Sequence, residues 1–104
     1  MKGSMKQIQW AEDIRANAIN TCTANIERMS AEPLFALDVK VYKIFRAGLI
    51  ARFDKIDDAA LIIKQKELVD PRSIIDQVSR ATEMIRDGKM TIEKLVQMSG
   101  VSEY

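Results

Sequence analysis

At 104 residues the chain has room for one domain, and 47% apolar with 30% charged residues is the balance of a globular protein. That balance excludes a disordered tail, a collagen-like chain and a membrane span. Sixteen basic against fifteen acidic side chains leave a net charge of +1, so no global field steers the chain to nucleic acid or to a membrane. There is no His and only one Cys, which removes His-based acid–base catalysis, Ser-His and Cys-His nucleophiles and zinc sites built on Cys and His.

A chain of this size buries roughly two-thirds of its unfolded surface, enough for one modest core. Cys22 alone cannot form an internal disulfide, and residues 1–9 alternate polar and apolar side chains without a signal-peptide run. Both features point to the cytoplasm. Met1-Lys2-Gly3-Ser4 ahead of Met5 reads as an expression scar, which leaves residues 5–104 as a single helical domain.

The first predicted helix covers residues 10–29. Ala11, Ile14, Ala18, Cys22, Ile26 and Met29 recur at spacings of three and four, the period of a helix with one buried stripe. Ser30-Ala31-Glu32-Pro33 breaks it, because proline lacks the N–H and disfavours helix in the residue before it. The second segment, residues 34–69, contains no proline and one glycine, Gly48. Unbroken, it would span on the order of 50 Å. Phe35, Tyr42, Leu49, Phe53, Ile56, Ala60 and Ile63 lie along one face of it, and Leu34, Leu37, Val41, Ile44 and Ala51 along another. A helix apolar on both sides needs more than one neighbour, so it is either the centre of the fold or part of an assembly. The Asp57-Asp58 pair offers a second possibility, a new helix after a kink. We take the unbroken helix as the expectation.

Asp70-Pro71 gives an N-cap and a proline at the first helical position. Ile74, Val78, Ala81 and Ile85 set a buried stripe that ends at Asp87-Gly88. Thr91 is a further N-cap, opening a short helix through Ile92, Leu95, Val96 and Met98 that Gly100 stops. No strand pattern or internal repeat appears. The expected fold is all-α, a helical hairpin or bundle of three main helices with a short C-terminal one.

Six features bear on function. Residues 16–26 carry no charge, whereas a solvated helix face normally carries Lys and Glu. Ala16, Asn20, Thr23 and Ala24 suit a close helix–helix contact between subunits, and Asn17 and Asn20 suit a polar ligand. Burial within the monomer explains the stretch equally well. Lys40, Lys43 and Arg46, at i, i+3 and i+6, share one sector of the second helix and could meet phosphate, with Tyr42 near for stacking. The plainer reading is a solvated, salt-bridged face. Asp54, Asp57 and Asp58 form one carboxylate cluster, with Glu83 and Asp87 or Glu12 and Asp13 as candidates for a second. A magnesium-dependent nucleotide hydrolase would need such clusters to converge. Trp10 reads as a packing anchor before a stacking platform, and Met84, Met90 and Met98 as core filler before a permissive partner surface. Residues 91–102 look like the first helix and turn of a helix-turn-helix, but residues 70–104 hold five basic and six acidic side chains, which opposes phosphate binding.

The run Gln9-Trp10-Ala11-Glu12-Asp13-Ile14-Arg15 is similar to the start of small helical proteins of bacteriophages and prophages of Gram-positive bacteria. Asp58-Ala59-Ala60-Leu61-Ile62-Ile63 occupies the place of a later apolar stretch in those proteins, with Leu61 and Ile62 where an aromatic pair is expected. The resemblance implies a phage origin, and small proteins of that kind often block host defences. No functional residue carries over from it. The expected function is therefore a non-enzymatic binding protein acting as a homo-oligomer, without a cofactor or metal. Its partner would be a host defence protein or a nucleotide signal, and not a membrane or nucleic acid. For a nucleotide, Lys40, Lys43 and Arg46 would face phosphate and Asn17, Asn20 or Tyr42 base or ribose. A DNA-associated regulator with an incomplete helix-turn-helix and a magnesium-dependent hydrolase are the alternatives.

Overall fold

Ser4 begins the first helix, five residues ahead of the expected start, because it completes a capping box. Its hydroxyl accepts from the Gln7 N–H at 3.2 Å and the Gln7 amide oxygen accepts from the Ser4 N–H at 3.0 Å. The computed structural model describes all 104 residues as helices and turns, with no strand. The elements are α1 (Met5–Met29), a 3₁₀ turn (Pro33–Phe35), α2 (Ala36–Asp54), α3 (Ala59–Lys64), a second 3₁₀ turn (Lys66–Leu68), α4 (Pro71–Arg86) and α5 (Ile92–Ser99). The fold is all-α, as the periodicity predicts. No helix is long and apolar enough to cross a membrane.

The proline and cap signals fall where the local chemistry puts them. Pro33 opens the first 3₁₀ turn, and the Asp70 carboxylate accepts from the Ser73 N–H at 2.8 Å, so that α4 starts at Pro71. The Thr91 hydroxyl accepts from the Lys94 N–H at 3.1 Å. Gly100 ends α5 with φ at 69°, a left-handed conformation that a residue with a Cβ adopts only at a cost.

The second segment is not continuous, which corrects the expectation of one helix through 34–69. α2 ends at Asp54, and the Asp58 carboxylate accepts from the Ala60 N–H at 3.0 Å to cap a new helix. The break has a packing reason. It turns Ala59 and Ile62 back into the core, where each is at most 1% exposed, and a straight helix would carry them away from it. The backbone of Lys2 closes the turn, donating to the Asp57 carbonyl at 2.7 Å and accepting from the Ala59 N–H at 2.8 Å. Residues 1–4, set apart by the sequence reading, are thus structurally joined to the helical domain.

α2 is the centre of the fold. Arg15 meets Asp54 at 2.7 Å and Arg46 meets Thr23 at 3.2 Å, so α1 runs antiparallel to α2 along one side. Arg86 meets Asp38 at 3.0 Å, which places the end of α4 beside the start of α2 on the other. Val41, Tyr42, Ile44, Leu49 and Phe53, drawn from both apolar faces, are all buried. Each large side chain of this kind contributes roughly 1.5–3 kcal/mol on burial. The two-sided helix therefore finds its neighbours within one chain and needs no second copy to cover it.

α5 docks on α2 through a close approach. A Cβ built on Gly48 would stand 3.3 Å from the Ser99 Cβ, so only a residue without a side chain leaves α5 undisturbed. Gly48→Leu should push α5 away and destabilise the fold by about 1–3 kcal/mol, read from the urea midpoint of the helical circular dichroism. An unchanged midpoint would mean that α5 is not packed there.

Candidate functional site

Of the residues expected to bind a nucleotide, Arg46 and Tyr42 have other partners within the chain. Lys40 is exposed and Lys43 half-buried on α2. Arg46 is engaged, donating from Nη1 to the Thr23 hydroxyl across the α1–α2 seam. Tyr42 is only 2% exposed, so its ring belongs to the core and cannot stack on a base. Two of the four α2 residues proposed for a nucleotide are therefore spent on packing. Lys40 and Lys43 remain as a solvated pair.

The uncharged stretch 16–26 divides in the same way. Ala18, Cys22, Asn25 and Ile26 are buried within the monomer, whereas Ala16, Asn17, Asn20 and Ala24 are exposed. The Asn25 side chain is satisfied inside α1, donating to the Thr21 carbonyl at 2.8 Å and accepting from Arg28 at 2.6 Å. Thr23, expected at a subunit interface, is the partner of Arg46. Asn17 borders a shallow depression of about 280 Å³ with Lys66 and Glu67. Trp10, expected as a packing anchor, is 48% exposed, and the Lys66 ammonium sits 5.7 Å from its ring centroid.

The seam around Cys22 has its own electrostatics. Burial pushes the Cys22 thiol up to about 11 from an ordinary 9.0, although Arg46 pulls it partly back. Tyr42 is raised as well, first by burial and then by Cys22 and Asp38, with Arg28 acting against them.

The carboxylates do not gather. Asp54 is paired with Arg15, Asp58 caps α3, and no group of three or more His, Cys, Asp or Glu is placed to hold a metal ion.

What the structure assembles instead is a groove of about 450 Å³ where the second half of α2 meets the start of α4 and the end of α5. That volume is in the range of small-ligand sites, ~300–1,000 Å³. Its floor is apolar: Leu49, Val69, Ile74 and Leu95 are each no more than 6% exposed. Leu68 and Met98 stand on its border, 63% and 68% exposed. Gln77 ties the wall by donating to the Leu68 carbonyl at 2.9 Å.

Two cations, Arg52 and Lys55, line the groove from the last turns of α2, and no acidic side chain lines it. Neither cation takes part in an ion pair or a side-chain hydrogen bond, although Arg15 and Arg86 elsewhere on the chain are both paired. The groove thus joins an apolar floor to uncompensated positive charge. Only part of it is legible in the sequence. Met98 has a permissive partner surface only as its second reading, after core filler, and Gly48 is the lone glycine of its segment, but the groove depends on three elements distant in sequence. Compared with protein families, characterised proteins and solved structures, the chain has no significant match.

Stability should carry the signature of the buried thiol. A group whose pKa is raised by folding contributes stability in full below its unfolded value and loses it as the pH climbs through the folded one. Cys22 should thus cost the native state nothing below about pH 9 and destabilise it progressively toward about pH 11. The unfolding free energy of Cys22→Ala, followed by urea titration across that window, should fall less steeply than that of the wild type. Parallel curves would show that the thiol does not sense burial.

Proposed function

We propose that this chain is a non-enzymatic helical binding protein that holds its partner in the groove among α2, α4 and α5. The observation that carries this reading is the pairing of an apolar floor with Arg52 and Lys55, two cations without partners in a lining that contains no acid. Apolar surface supplies affinity without direction, and an uncompensated charge at its border selects and orients a ligand of opposite sign. A ligand with an apolar body and a negative group satisfies both. Occlusion of a host defence protein, which the resemblance of residues 9–15 implies, would be carried out from this groove and not from the lysine pair. A nucleotide signal would keep Lys40 and Lys43 but lose the stacking and the third cation first assigned to it.

An amphiphilic dye with a sulfonate, 8-anilinonaphthalene-1-sulfonate, has the chemistry required. At protein concentrations where the chain is monomeric, its fluorescence should rise saturably. Leu68→Asp and Met98→Asp should each abolish that rise while leaving the helical circular dichroism intact, since both side chains are mostly exposed. Arg52→Gln with Lys55→Gln should weaken the anionic dye several-fold and leave an uncharged apolar dye unaffected. Dye binding that all four substitutions leave unchanged would contradict the assignment.

A further inference from the structure

The corner that joins α1 to α2 has the chemistry that the groove lacks. Leu34 is 78% exposed and Phe35 39%, two adjacent large apolar side chains facing water. They are not on a loose loop. The Phe35 N–H donates to the Glu32 carbonyl at 3.0 Å, the Glu32 N–H donates to the Met29 carbonyl at 3.2 Å, and Pro33 fixes the turn between them. Glu32 beside them is exposed and makes no ion pair or side-chain hydrogen bond. The corner is a preformed apolar knob with a negative charge at its base, and the groove is an apolar trough with two free cations at its border.

From this complementarity we infer that the occupant of the groove is the 32–35 corner of a second copy of this chain. The inference rests on the groove being the binding surface and names what fills it. The corner cannot reach the groove of its own chain. Phe45, the first groove residue on α2, is ten residues further along the same rigid helix, about 15 Å away. The contact is therefore intermolecular. Leu34 and Phe35 enter between Leu68 and Met98, and Glu32 meets Arg52 and Lys55. Each copy contributes a different patch to the contact, so every chain has both a knob to offer and a groove to fill. Burying a preformed turn costs little conformational entropy, which favours it over a segment that must first become ordered.

The contact is tested by making one defect in each half. Leu34→Asp spoils the corner and keeps the groove, and Met98→Asp with Arg52→Glu spoils the groove and keeps the corner. In sedimentation velocity the wild type should exceed the monomer mass between micromolar and millimolar concentration, and each variant alone should be monomeric. An equal mixture of the two variants should form a species of two chains, one of each kind. A wild type that stays monomeric to millimolar concentration, a variant that still assembles alone, or a mixture that stays monomeric would each overturn the inference. If a variant loses its helical circular dichroism, charge reversal puts the same question. Glu32→Lys alone and Arg52→Glu with Lys55→Glu alone should dissociate the assembly, and all three together should restore it. Failure to restore it overturns the contact. Saturable dye binding in a chain that never self-associates would remove the second copy as occupant and leave the groove reading in place. Loss of both would remove both.

Discussion

The structure depends on covering α2 from two sides with one short chain. Its apolar residues do not form a single stripe, and a helix of that kind left with one neighbour would expose half of them to water. α1 covers one flank, fixed in register by Arg15 on Asp54 and Arg46 on Thr23. α4 and α5 cover the other, with Arg86 on Asp38 at one end and the Gly48–Ser99 approach further along. The remaining elements are arranged to permit that clasp. The turn after Asp54 brings α3 back onto α1, and the Asp70 and Thr91 caps start α4 and α5 where they can lie against α2.

The clasp is tighter at one end than at the other. α5 has only eight residues and stops at Gly100, so it covers α2 for two turns and then leaves it. At that end Leu49, Val69 and Ile74 line an open groove together with Leu95 and Met98 of α5. The same geometry leaves Arg52 and Lys55 without acids to pair with, because the acids of this region face elsewhere. Asp54 turns to Arg15 and Asp58 to the start of α3. The groove and its charge are consequences of how the two-sided helix is covered. They needed no separate motif.

Local signals in the sequence were sufficient for most of the fold. Caps, prolines and the 3.6-residue period located α1, α4 and α5, because each of those features acts within a few residues. The break after Asp54 has no Gly or Pro to mark it, only the Asp57-Asp58 pair, whose Asp58 caps α3. Only the demand that Ala59 and Ile62 return to α1 requires it, and that demand is tertiary. The inward engagement of Arg46 and Tyr42 was hidden for a related reason. Periodicity places Lys40, Lys43 and Arg46 on one sector of a helix but does not say which neighbour lies opposite. Arg46 meets Thr23, and Tyr42 faces inward beside Cys22. Doubly apolar character also suggested an assembly of subunits, a requirement that the chain meets internally at α2. The surface left over for a partner is built from Phe45, Leu68 and Met98, and no window of sequence contains them together.

Native-state hydrogen exchange is the most direct measure of whether α2 is the element on which the rest is assembled. Amides within the buried stretch from Val41 to Phe53 should exchange last, with a free energy equal to that of global unfolding. Those of α5 and of the turn at 55–58 should open at lower free energy. Amides of α2 that exchange as readily as those of α5 would contradict this account, because the helix would then be held from one side only.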